Sequence, residues 1–332
     1  MSITRIIAQC IWDQSWLSPR VKKTAYKILN QAGDPPSAPF TTNFYGLSYQ
    51  GNLKNNIEFS IYYYGAFEKP LLYFLRDTLA NIKKHPSASV TTCFCDVGAN
   101  IGQHALFMSQ FATTVHAFEP FEAVSNRLLD QVKLNNIDNI TLHSFGLSDV
   151  TEQLPFYAPT GSNQGIGSFD KETLSKGNVE TGSLALRNGD EVFADHPIPW
   201  VDLMKIDVEG FEKKALAGLA SVLGNNRPIV VCEVSYGSEL SFQNFSQWQS
   251  AFPPNYRFFI FDIRKANGRK DRKAGAKAKR TGHFKLIAFK HWKPSGQDDV
   301  IACPEEKLEL LALEFTGSRD KKRPSAKKSI LT

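Results

Sequence analysis

The stretch CFCDVGANIG, residues 93–102, decides the fold class of this protein. Its first half is a short apolar run that predicts a buried β-strand, and its second half places Gly98 and Gly102 before a helix-like segment. Glycine lets the backbone turn tightly and lets a ligand approach closely. A strand, a glycine turn and a helix in this order predict one unit of an open α/β sheet, whose ligands bind beyond the carboxyl ends of the strands.

Strand-like and helix-like segments keep alternating after this stretch, which predicts a parallel sheet with right-handed crossovers and helices on both faces. The predicted strands are 92–97, 114–118, 140–145, 201–206 and 228–234. The predicted helices are 102–111, 123–135, 212–223 and 242–252. Two consecutive strand candidates, 256–263 and 284–289, predict a closing antiparallel hairpin. The polar stretch between about 150 and 200 carries no such pattern.

The segment before this region predicts a small α+β extension. A short helical arm ends at the breaker 33–36, an aromatic segment over 40–63 predicts a β-hairpin, and 67–84 has near-helical spacing. We therefore divide the chain into three parts. These are an N-terminal extension (1–89), an α/β domain (90–315) with a basic insertion (264–282), and a basic tail (316–332) that we expect to be disordered.

Composition is ordinary for a globular protein, with 42% hydrophobic and 22% charged residues. No apolar run approaches the roughly 20 residues that span a bilayer. The apolar N-terminus is interrupted at Asp13, which is early for a signal peptide. The five scattered cysteines lack zinc-site spacing and predict small buried residues in a reducing cytoplasm.

Positive charge is concentrated in two short segments. Residues 264–280 carry a net charge of +8 and residues 319–328 a net charge of +5, so the rest of the chain is acidic, at −7 against a total of +6. The first segment has no aromatic residue for base stacking, and we expect a solvated loop there. Attraction to an anionic surface or to nucleic acid is the functional alternative.

Acidic residues at the strand ends favour a particular ligand. Asp96 stands where a dinucleotide motif has its first glycine, and a carboxylate suits the ammonium and sulfonium of S-adenosylmethionine (SAM) better than a pyrophosphate. Glu119 follows Gly98 by roughly 20 residues, where an acidic residue accepts hydrogen bonds from ribose hydroxyls. Ser148 and Asp149 end the third strand, where an adenine edge could be read. The predicted cofactor-binding residues are Asp96, Gly98, Asn100, Gly102, Glu119, Ser148 and Asp149.

Five motifs, in order, resemble the FkbM family of SAM-dependent methyltransferases. They are DVGANIGQH (96–104), AFEP (117–120), LSD (147–149), LMKIDVEG (203–210) and PIVVCEV (228–234). The resemblance covers well over a third of the chain. It implies a Rossmann-like class I methyltransferase with a seven-stranded, mostly parallel sheet, an antiparallel last strand, and helices on both faces. It also implies methyl transfer from SAM, commonly to an oxygen of a sugar or natural product.

The run 205–210 supplies the catalytic candidates. Side chains alternate along a strand, so Lys205, Asp207 and Glu209 should point the same way, toward the methyl donor and acceptor. Asp207 is the first choice of general base and Glu209 the second, and His104, which opens the helix after the glycine turn, is an alternative. Lys205 is expected to neutralise one of the carboxylates rather than to react.

Two features leave alternatives open. Asp207, Glu209 and Glu233 offer the oxygen ligands that Mg²⁺ prefers, but they could equally bind the acceptor, and we predict no metal site. The polar segment 159–168, with Asn163, Gly165 and Ser168 spaced as in the family, could close over the site or be a surface loop.

The predicted function is a cytoplasmic SAM-dependent methyltransferase acting on a hydroxyl of a sugar, glycan or other small molecule. A nucleic-acid methyltransferase that uses the basic insertion is one alternative. Enzymes that methylate a base amino group usually carry an Asn/Asp-Pro-Pro-aromatic turn after the fourth strand, and the run 207–210 is not one. A non-catalytic SAM-binding protein is the other alternative.

Overall fold

The computed structural model describes residues 2–316, apart from 32, 34, 87–88, 90, 160–166, 170, 197, 199, 238–239 and 264–270. The predicted disordered tail, apart from residue 316, lies outside the described residues, as do the first part of the basic insertion and Asn163 and Gly165 of the polar segment.

The described residues form strands, α-helices and two short 3-10 helices. The strands are β1 (Pro39–Phe44), β2 (Leu47–Asn52), β3 (Cys93–Val97), β4 (Thr114–Phe118), β5 (Ile140–His143), β6 (Gly146–Ser148), β7 (Glu152–Pro159), β8 (Asn178–Asn188), β9 (Leu203–Ile206), β10 (Ile229–Tyr236), β11 (Tyr256–Phe261), β12 (Phe284–Ala288), β13 (Gly296–Pro304) and β14 (Glu314–Phe315). The α-helices are α1 (Ile3–Trp12), α2 (Lys23–Gln31), α3 (Asn56–Tyr64), α4 (Lys69–Lys84), α5 (Gln103–Met108), α6 (Glu122–Leu134), α7 (Gly189–Asp195), α8 (Glu212–Ala217), α9 (Ala220–Asn226), α10 (Phe245–Ser250) and α11 (Arg272–Thr281). The 3-10 helices span Lys171–Lys176 and Glu305–Leu310.

A mixed, mostly parallel sheet dominates the fold, in the order β14-β12-β11-β13-β10-β9-β3-β4-β5. Adjacent strands are parallel in the run β5-β4-β3-β9-β10. β13 is antiparallel to both β10 and β11, so β11 has the direction of the parallel strands. The predicted α/β class and its Rossmann-like layout are confirmed.

Helices cover both faces of this sheet, so alternate residues of its strands pack into two different cores. Phe94 of β3 packs in the core that contains α4 and α5. Cys95 and Val97 of the same strand pack in the core that contains α8 and α10. The parallel strands are apolar on both sides, as expected for a sheet that is buried on both faces.

The strand count differs from the implied seven, since the described sheet has nine strands. β12 and β14 extend the edge beyond β11. The predicted antiparallel pairing of β11 with β12 is confirmed. β13 was missed because its first half, residues 296–299, is polar. Residues 296–299 pair with the carboxyl end of β10, where the candidate site lies. Their polar side chains are therefore next to the site and do not indicate a surface loop.

The polar stretch after residue 150, which carries no predicted element, forms β7, β8 and the helix α7. With β6, these two strands make a second sheet, in the order β6-β8-β7. The predicted helix over 212–223 is two helices, α8 and α9. They separate at Gly218, where an added Cβ would lie 1.8 Å from the Ser148 carbonyl oxygen. This close contact joins the second sheet to the helices behind the main sheet.

The N-terminal extension contains the predicted arm, hairpin and final helix, together with one helix where a strand was expected. β1 and β2 form the hairpin, but residues 56–64 are α3. Asn55 caps α3 by accepting hydrogen bonds from the amides of Ile57 and Glu58. α4 packs into the same core as Phe94, so this part of the extension lies directly on the main sheet.

The described part of the basic insertion is helical, which corrects the expected loop. α11 begins after Asp271, whose side chain accepts hydrogen bonds from the amides of Lys273 and Ala274. Its Ala278 is buried, and α11 packs against α4. Among the described helices, none is both long and apolar enough to cross a membrane.

Candidate functional site

A cavity of about 440 Å³ lies at the carboxyl ends of β3, β4, β9 and β10. Its walls include the turn after β3, the end of β4, the end of β9, Glu233 of β10 and Glu68 before α4, together with parts of α3, β6 and β13. The sheet order therefore brings together residues that lie far apart in the sequence. The candidate residues of the cavity wall are Glu68, Gly98, Asn100, His104, Glu119, Lys205, Asp207, Glu209 and Glu233.

The glycine turn after β3 has the backbone that its sequence predicts. Gly98 and Gly102 have φ angles of +78° and +80°. A Cβ on Gly98 would lie 1.9 Å from the Asp207 carbonyl oxygen, and one on Gly102 would lie 2.2 Å from a Leu128 methyl carbon. Asn100 also has a positive φ, 53°, which is uncommon outside glycine. The turn is therefore packed directly against the end of β9.

Asp96, Lys205 and Asp207 form a buried charge cluster behind the turn. The Lys205 ammonium donates to Asp207 Oδ2 at 3.1 Å and lies 3.9 Å from Asp96 Oδ1. Asp96 Oδ2 accepts from the Ala105 amide at 2.9 Å, while Asp96 Oδ1 accepts no hydrogen bond within the described residues. Burial raises the pKa of Asp96 to about 6, and Lys205 opposes that rise. The lysine keeps a buried carboxylate partly charged.

Glu119, at the end of β4, is buried and fixed by the backbone. Its Oε2 accepts from the Asn100 amide and its Oε1 from the Phe121 amide, both at 2.9 Å. Burial raises the pKa of Glu119 to about 7, against the lowering effect of those two amide hydrogen bonds. Each carboxylate oxygen keeps a second lone pair that can accept another hydrogen bond.

The side of the cavity nearest β4 and β6 is apolar. Phe118, Phe121 and Leu147 line it, with Gly146 beside them. Ser148 and Asp149, predicted to read an adenine edge, do not line the cavity. The Ser148 hydroxyl instead donates to Asp149 Oδ1 at 3.0 Å. The preceding pair, Gly146 and Leu147, faces the cavity in their place.

The opposite side, over β9 and β10, is acidic. Asp207, Glu209 and Glu233 lie together on this side of the cavity, as the sequence predicted, and Glu68 joins them. Burial, then the charge of Asp207, raises the pKa of Glu209 to about 8 and that of Glu233 to about 11. In the described part of the wall, Lys205 is the only lysine or arginine. Carboxyl groups therefore outnumber cationic groups here.

Glu68 was missed by the sequence analysis because it belongs to no motif and lies in the extension. It precedes α4 with a φ of +44°, so its backbone is in the left-handed region. Burial, followed by the charges of Asp299 and Asp207, raises its pKa well above the usual range. Glu209, with a φ of +51°, shares this uncommon conformation. Such backbone outliers concentrate at functional sites.

His104 lies between the glycine turn and Glu68. Its Nε2 is 3.8 Å from Glu68 Oε2 and has no hydrogen-bond partner within the described residues. Burial, together with the charge of Lys205, lowers the pKa of His104 well below its usual range. The neighbouring Gln103 holds this region in place, because its side-chain amide makes hydrogen bonds in both directions with the Phe67 backbone, at 2.6 and 3.0 Å.

Across the described residues, no three His, Cys, Asp or Glu side chains are arranged to hold a metal ion. Asp207, Glu209 and Glu233, which could have been Mg²⁺ ligands, lie along one wall without such an arrangement. Within the described part of the polar segment, Gly167 lines the cavity. The Ser168 hydroxyl donates to the Glu209 carbonyl oxygen at 3.5 Å.

Comparison with known proteins relates this chain to one family of methyltransferases. Residues 96–260 match the family model of the methyltransferase FkbM domain. This range begins at Asp96 and contains each of the cofactor and catalytic candidates predicted from the sequence. It leaves out Glu68, the N-terminal extension and the basic helix α11.

Two curated relatives match about two fifths of the chain. Methyltransferase 1 of Beauveria bassiana is 29% identical over 141 residues, which are 37% of this chain and 57% of the relative. Hexuronic acid methyltransferase AglP of Haloferax volcanii is 31% identical over 137 residues, which are 41% of this chain and 53% of the relative. The chain spans about half the length of the curated relatives it matches.

A crystal structure of methyltransferase FkbM from Methylobacillus flagellatus KT is also similar. It is 14% identical, covers 67% of this chain and 47% of the other, and superposes with a TM-score of 0.39.

Proposed function

We propose that this chain, which belongs to the FkbM family of methyltransferases through residues 96–260, transfers a methyl group from SAM to a hydroxyl oxygen. The acceptor is a sugar, a glycan or another small molecule. The observation that carries the proposal is the cavity itself. It places a glycine turn, a buried Glu119 and the Lys205–Asp207 pair on one wall, with an apolar half and an acidic half.

The half of the cavity next to β4 would hold the adenosyl part of SAM. Glu119 has free lone pairs for two ribose hydroxyls, and its carboxylate is already fixed by backbone amides. Phe121 and Leu147 offer an apolar surface for the adenine ring. Gly98 presents its backbone to the cavity. SAM supplies a methyl group activated by its positively charged sulfonium.

The residues fit a cationic cofactor because the nearby negative charge exceeds the positive charge. Asp96 Oδ1 is buried without a hydrogen bond in the described residues, and Lys205 is shared between Asp96 and Asp207. A cation in the cavity would offset this excess. SAM carries an ammonium and a sulfonium, whereas the pyrophosphate of a dinucleotide would add two negative charges to it.

The same geometry gives a reason to reverse the order of the two candidate bases. Asp207 is held by Lys205, whose ammonium donates to Asp207 Oδ2 at 3.1 Å, so this oxygen is already engaged by a cation. The pKa of Glu209 is raised to about 8 by burial and by Asp207, which places it near physiological pH, where a general base is most effective. We therefore assign proton removal to Glu209 and positioning to Asp207. His104 keeps a neutral imidazole beside them.

The acidic half of the cavity is suited to hydroxyl groups. Glu68, Asp207, Glu209 and Glu233 supply carboxyl oxygens that accept hydrogen bonds from several hydroxyls at once. One relative is named for a hexuronic acid, which supports a sugar acceptor.

Two measurements test the proposal with the full chain. Calorimetry should show SAM binding, and incubation with methyl-labelled SAM should label a glycan or small-molecule fraction of a cell extract. Label in the nucleic-acid fraction alone would contradict the acceptor class and favour a nucleic-acid methyltransferase. SAM binding without any transfer would favour a non-catalytic protein, and absence of SAM binding would overturn the whole assignment.

A further inference from the structure

Helix α1 turns an apolar face away from the rest of the protein. Ile3 is 77% exposed, and Ile6, Ile7 and Ile11 are 40–55% exposed. At about 100° per residue, these side chains and the exposed Cys10 lie within an arc of roughly 140° on the helix. The opposite side of α1 packs on α2 through the buried Ala8. The α1–α2 contact therefore leaves this apolar face uncovered.

The apolar surface continues past the end of α1. Trp16 is 78% exposed and Val21 is 69% exposed, both in the connection to α2. Scattered exposed apolar residues are common, but a contiguous group on one short segment indicates an interaction surface. Tryptophan is also enriched where proteins meet the headgroup level of a bilayer.

Cations are numerous on α2, on the connection that precedes it and on α11. Residues 2–31 carry a net charge of +4 and residues 271–281 carry another +4. The two segments meet at Tyr64, whose ring centre lies 3.7 Å from the Lys23 ammonium and 4.4 Å from that of Lys279. On α11 the further cations are exposed to solvent, namely Arg272, Lys273, Lys277 and Arg280. α1, α2 and α11 thus contribute to one side of the molecule.

We propose that this surface, defined by α1, α2 and α11, binds anionic lipid bilayers. An interfacial helix combines an apolar face, buried at the level of the headgroups, with cations that are attracted to anionic lipid. Both features are present here on adjoining elements. A nucleic acid would use the cations but leave the isoleucines in water. A second copy of the chain would cover the isoleucines but bring two cationic surfaces together.

The surface also lies beside the methyltransferase cavity. Lys27 and Lys279 line a shallow depression with Asn56 and Phe67. Asn56 and Phe67 also line the main cavity. Docking of the surface on a bilayer would therefore bring the cavity close to the lipid headgroups. The proposal does not depend on the activity, because it rests on α1, α2 and α11, which lie outside the matched family domain.

Sedimentation with vesicles tests the proposal on the full chain. We expect binding to phosphatidylcholine vesicles that contain about 30% phosphatidylglycerol, and weak binding to phosphatidylcholine alone. Ile7→Ser combined with Ile11→Ser should lower the bound fraction about tenfold, because two apolar side chains no longer enter the interface. Lys273→Gln with Lys277→Gln should remove the preference for phosphatidylglycerol.

The matched control is Lys133→Gln with Leu134→Ser, an exposed cation and an exposed apolar residue at the end of α6. This control should bind vesicles like the unmodified chain. Equal binding by the isoleucine variant, with unchanged far-UV circular dichroism, would overturn the proposal. If that variant misfolds, Ile3→Ser with Ile6→Ser provides the same test at other positions on the face.

Two other outcomes would also overturn the proposal. One is binding to a DNA or RNA duplex with no vesicle binding. The other is a dimer in light scattering that the isoleucine variant dissociates, again without vesicle binding. SAM affinity, measured on the same variants, should stay unchanged, so failure of the lipid proposal and failure of the proposed enzyme are distinguishable.

Discussion

Gly98 and Asp207 are in direct backbone contact, since a Cβ atom added to Gly98 would lie 1.9 Å from the Asp207 carbonyl oxygen. Gly98 belongs to the turn that we assign to the cofactor, and Asp207 follows the strand that carries the catalytic candidates. The Asp207 amide also donates to the Val97 carbonyl at 3.0 Å. The two halves of the site are therefore held in register by the backbone at this point.

The first prediction is that Gly98→Ala removes SAM binding. The methyl group must displace the Asp207 backbone, and a φ of +78° is strained for alanine. We expect SAM affinity to fall at least about tenfold, measured by calorimetry. Gly224→Ala is the matched control, because its added Cβ meets nothing within 4 Å and it lies in helix α9. Unchanged affinity in the Gly98 variant would remove the turn from the site.

The second prediction concerns the buried Lys205. Lys205→Met leaves Asp96 buried without its cation, so the free energy of unfolding should fall by about 3–5 kcal/mol in urea denaturation. The control, Lys214→Met, breaks a solvent-exposed pair with Glu152 and should cost no more than about 1 kcal/mol. Similar losses in the two variants would mean that the Lys205 cluster is not a buried ion pair.

The third prediction is a pH dependence that comes from Glu212. Burial raises the pKa of this carboxyl from its usual 4.5 to about 7. A raised folded-state pKa means that the stabilising contribution is fully present below pH 4.5 and is lost as the pH rises through 7. The free energy of unfolding should therefore fall over this window, by up to about 1.4 kcal/mol per pH unit for this group.

Glu212→Gln tests this prediction in urea denaturation at several pH values. Glutamine keeps the carbonyl oxygen that accepts from the Val208 and Gly210 amides, but it does not titrate. The slope of stability against pH should flatten between pH 5 and 7 in the variant, as expected from the pKa of about 7. Parallel curves for the two proteins would show that Glu212 ionises in the folded state as it does when exposed.

The fourth prediction separates the two candidate bases. Glu209→Gln should lower kcat by about 10²–10⁴-fold while leaving SAM affinity nearly unchanged, because it removes the proton acceptor alone. In the unmodified chain, kcat should rise as the pH increases through about 8, where the Glu209 carboxyl loses its proton. This rise should disappear in the variant.

Asp207→Asn provides the comparison for that experiment. It should lower kcat less than Glu209→Gln and should keep the rise with pH, because Asp207 positions Lys205 rather than taking the proton. The opposite result would restore Asp207 as the base. In that case the rise of kcat with pH would disappear in Asp207→Asn and persist in Glu209→Gln.

Sequence patterns were sufficient wherever the information is local. The apolar run before Asp96, the glycine turn and the acidic end of β4 predicted the parallel strands and most of the wall that we assign to the cofactor. They could do so because a buried parallel strand is apolar along its whole length and because a positive φ selects glycine. The family resemblance, later matched over residues 96–260, rests on these same motifs.

Patterns failed where pairing is long-range. β13 begins with polar residues and enters the sheet between β10 and β11, so its local sequence resembles a loop. β7 and β8 pair with each other although they do not follow one another directly in the chain, and neither strand is uniformly apolar. α11 was expected to be a loop because its cations dominate its composition, yet one buried alanine and an aspartate cap hold it as a helix.

By itself, the sequence determined the fold class, the glycine turn and the placement of Lys205, Asp207 and Glu209 at one strand end, since these depend on neighbours in the chain. The tertiary structure alone decided that Glu68 joins the acidic wall and that Ser148 and Asp149 leave the cavity. It also decided that α1 turns its isoleucines outward and that α2 and α11 meet at Tyr64. The physical reason is that burial and the neighbouring charge, which set what a carboxyl or an isoleucine can do, are created only when distant segments pack together.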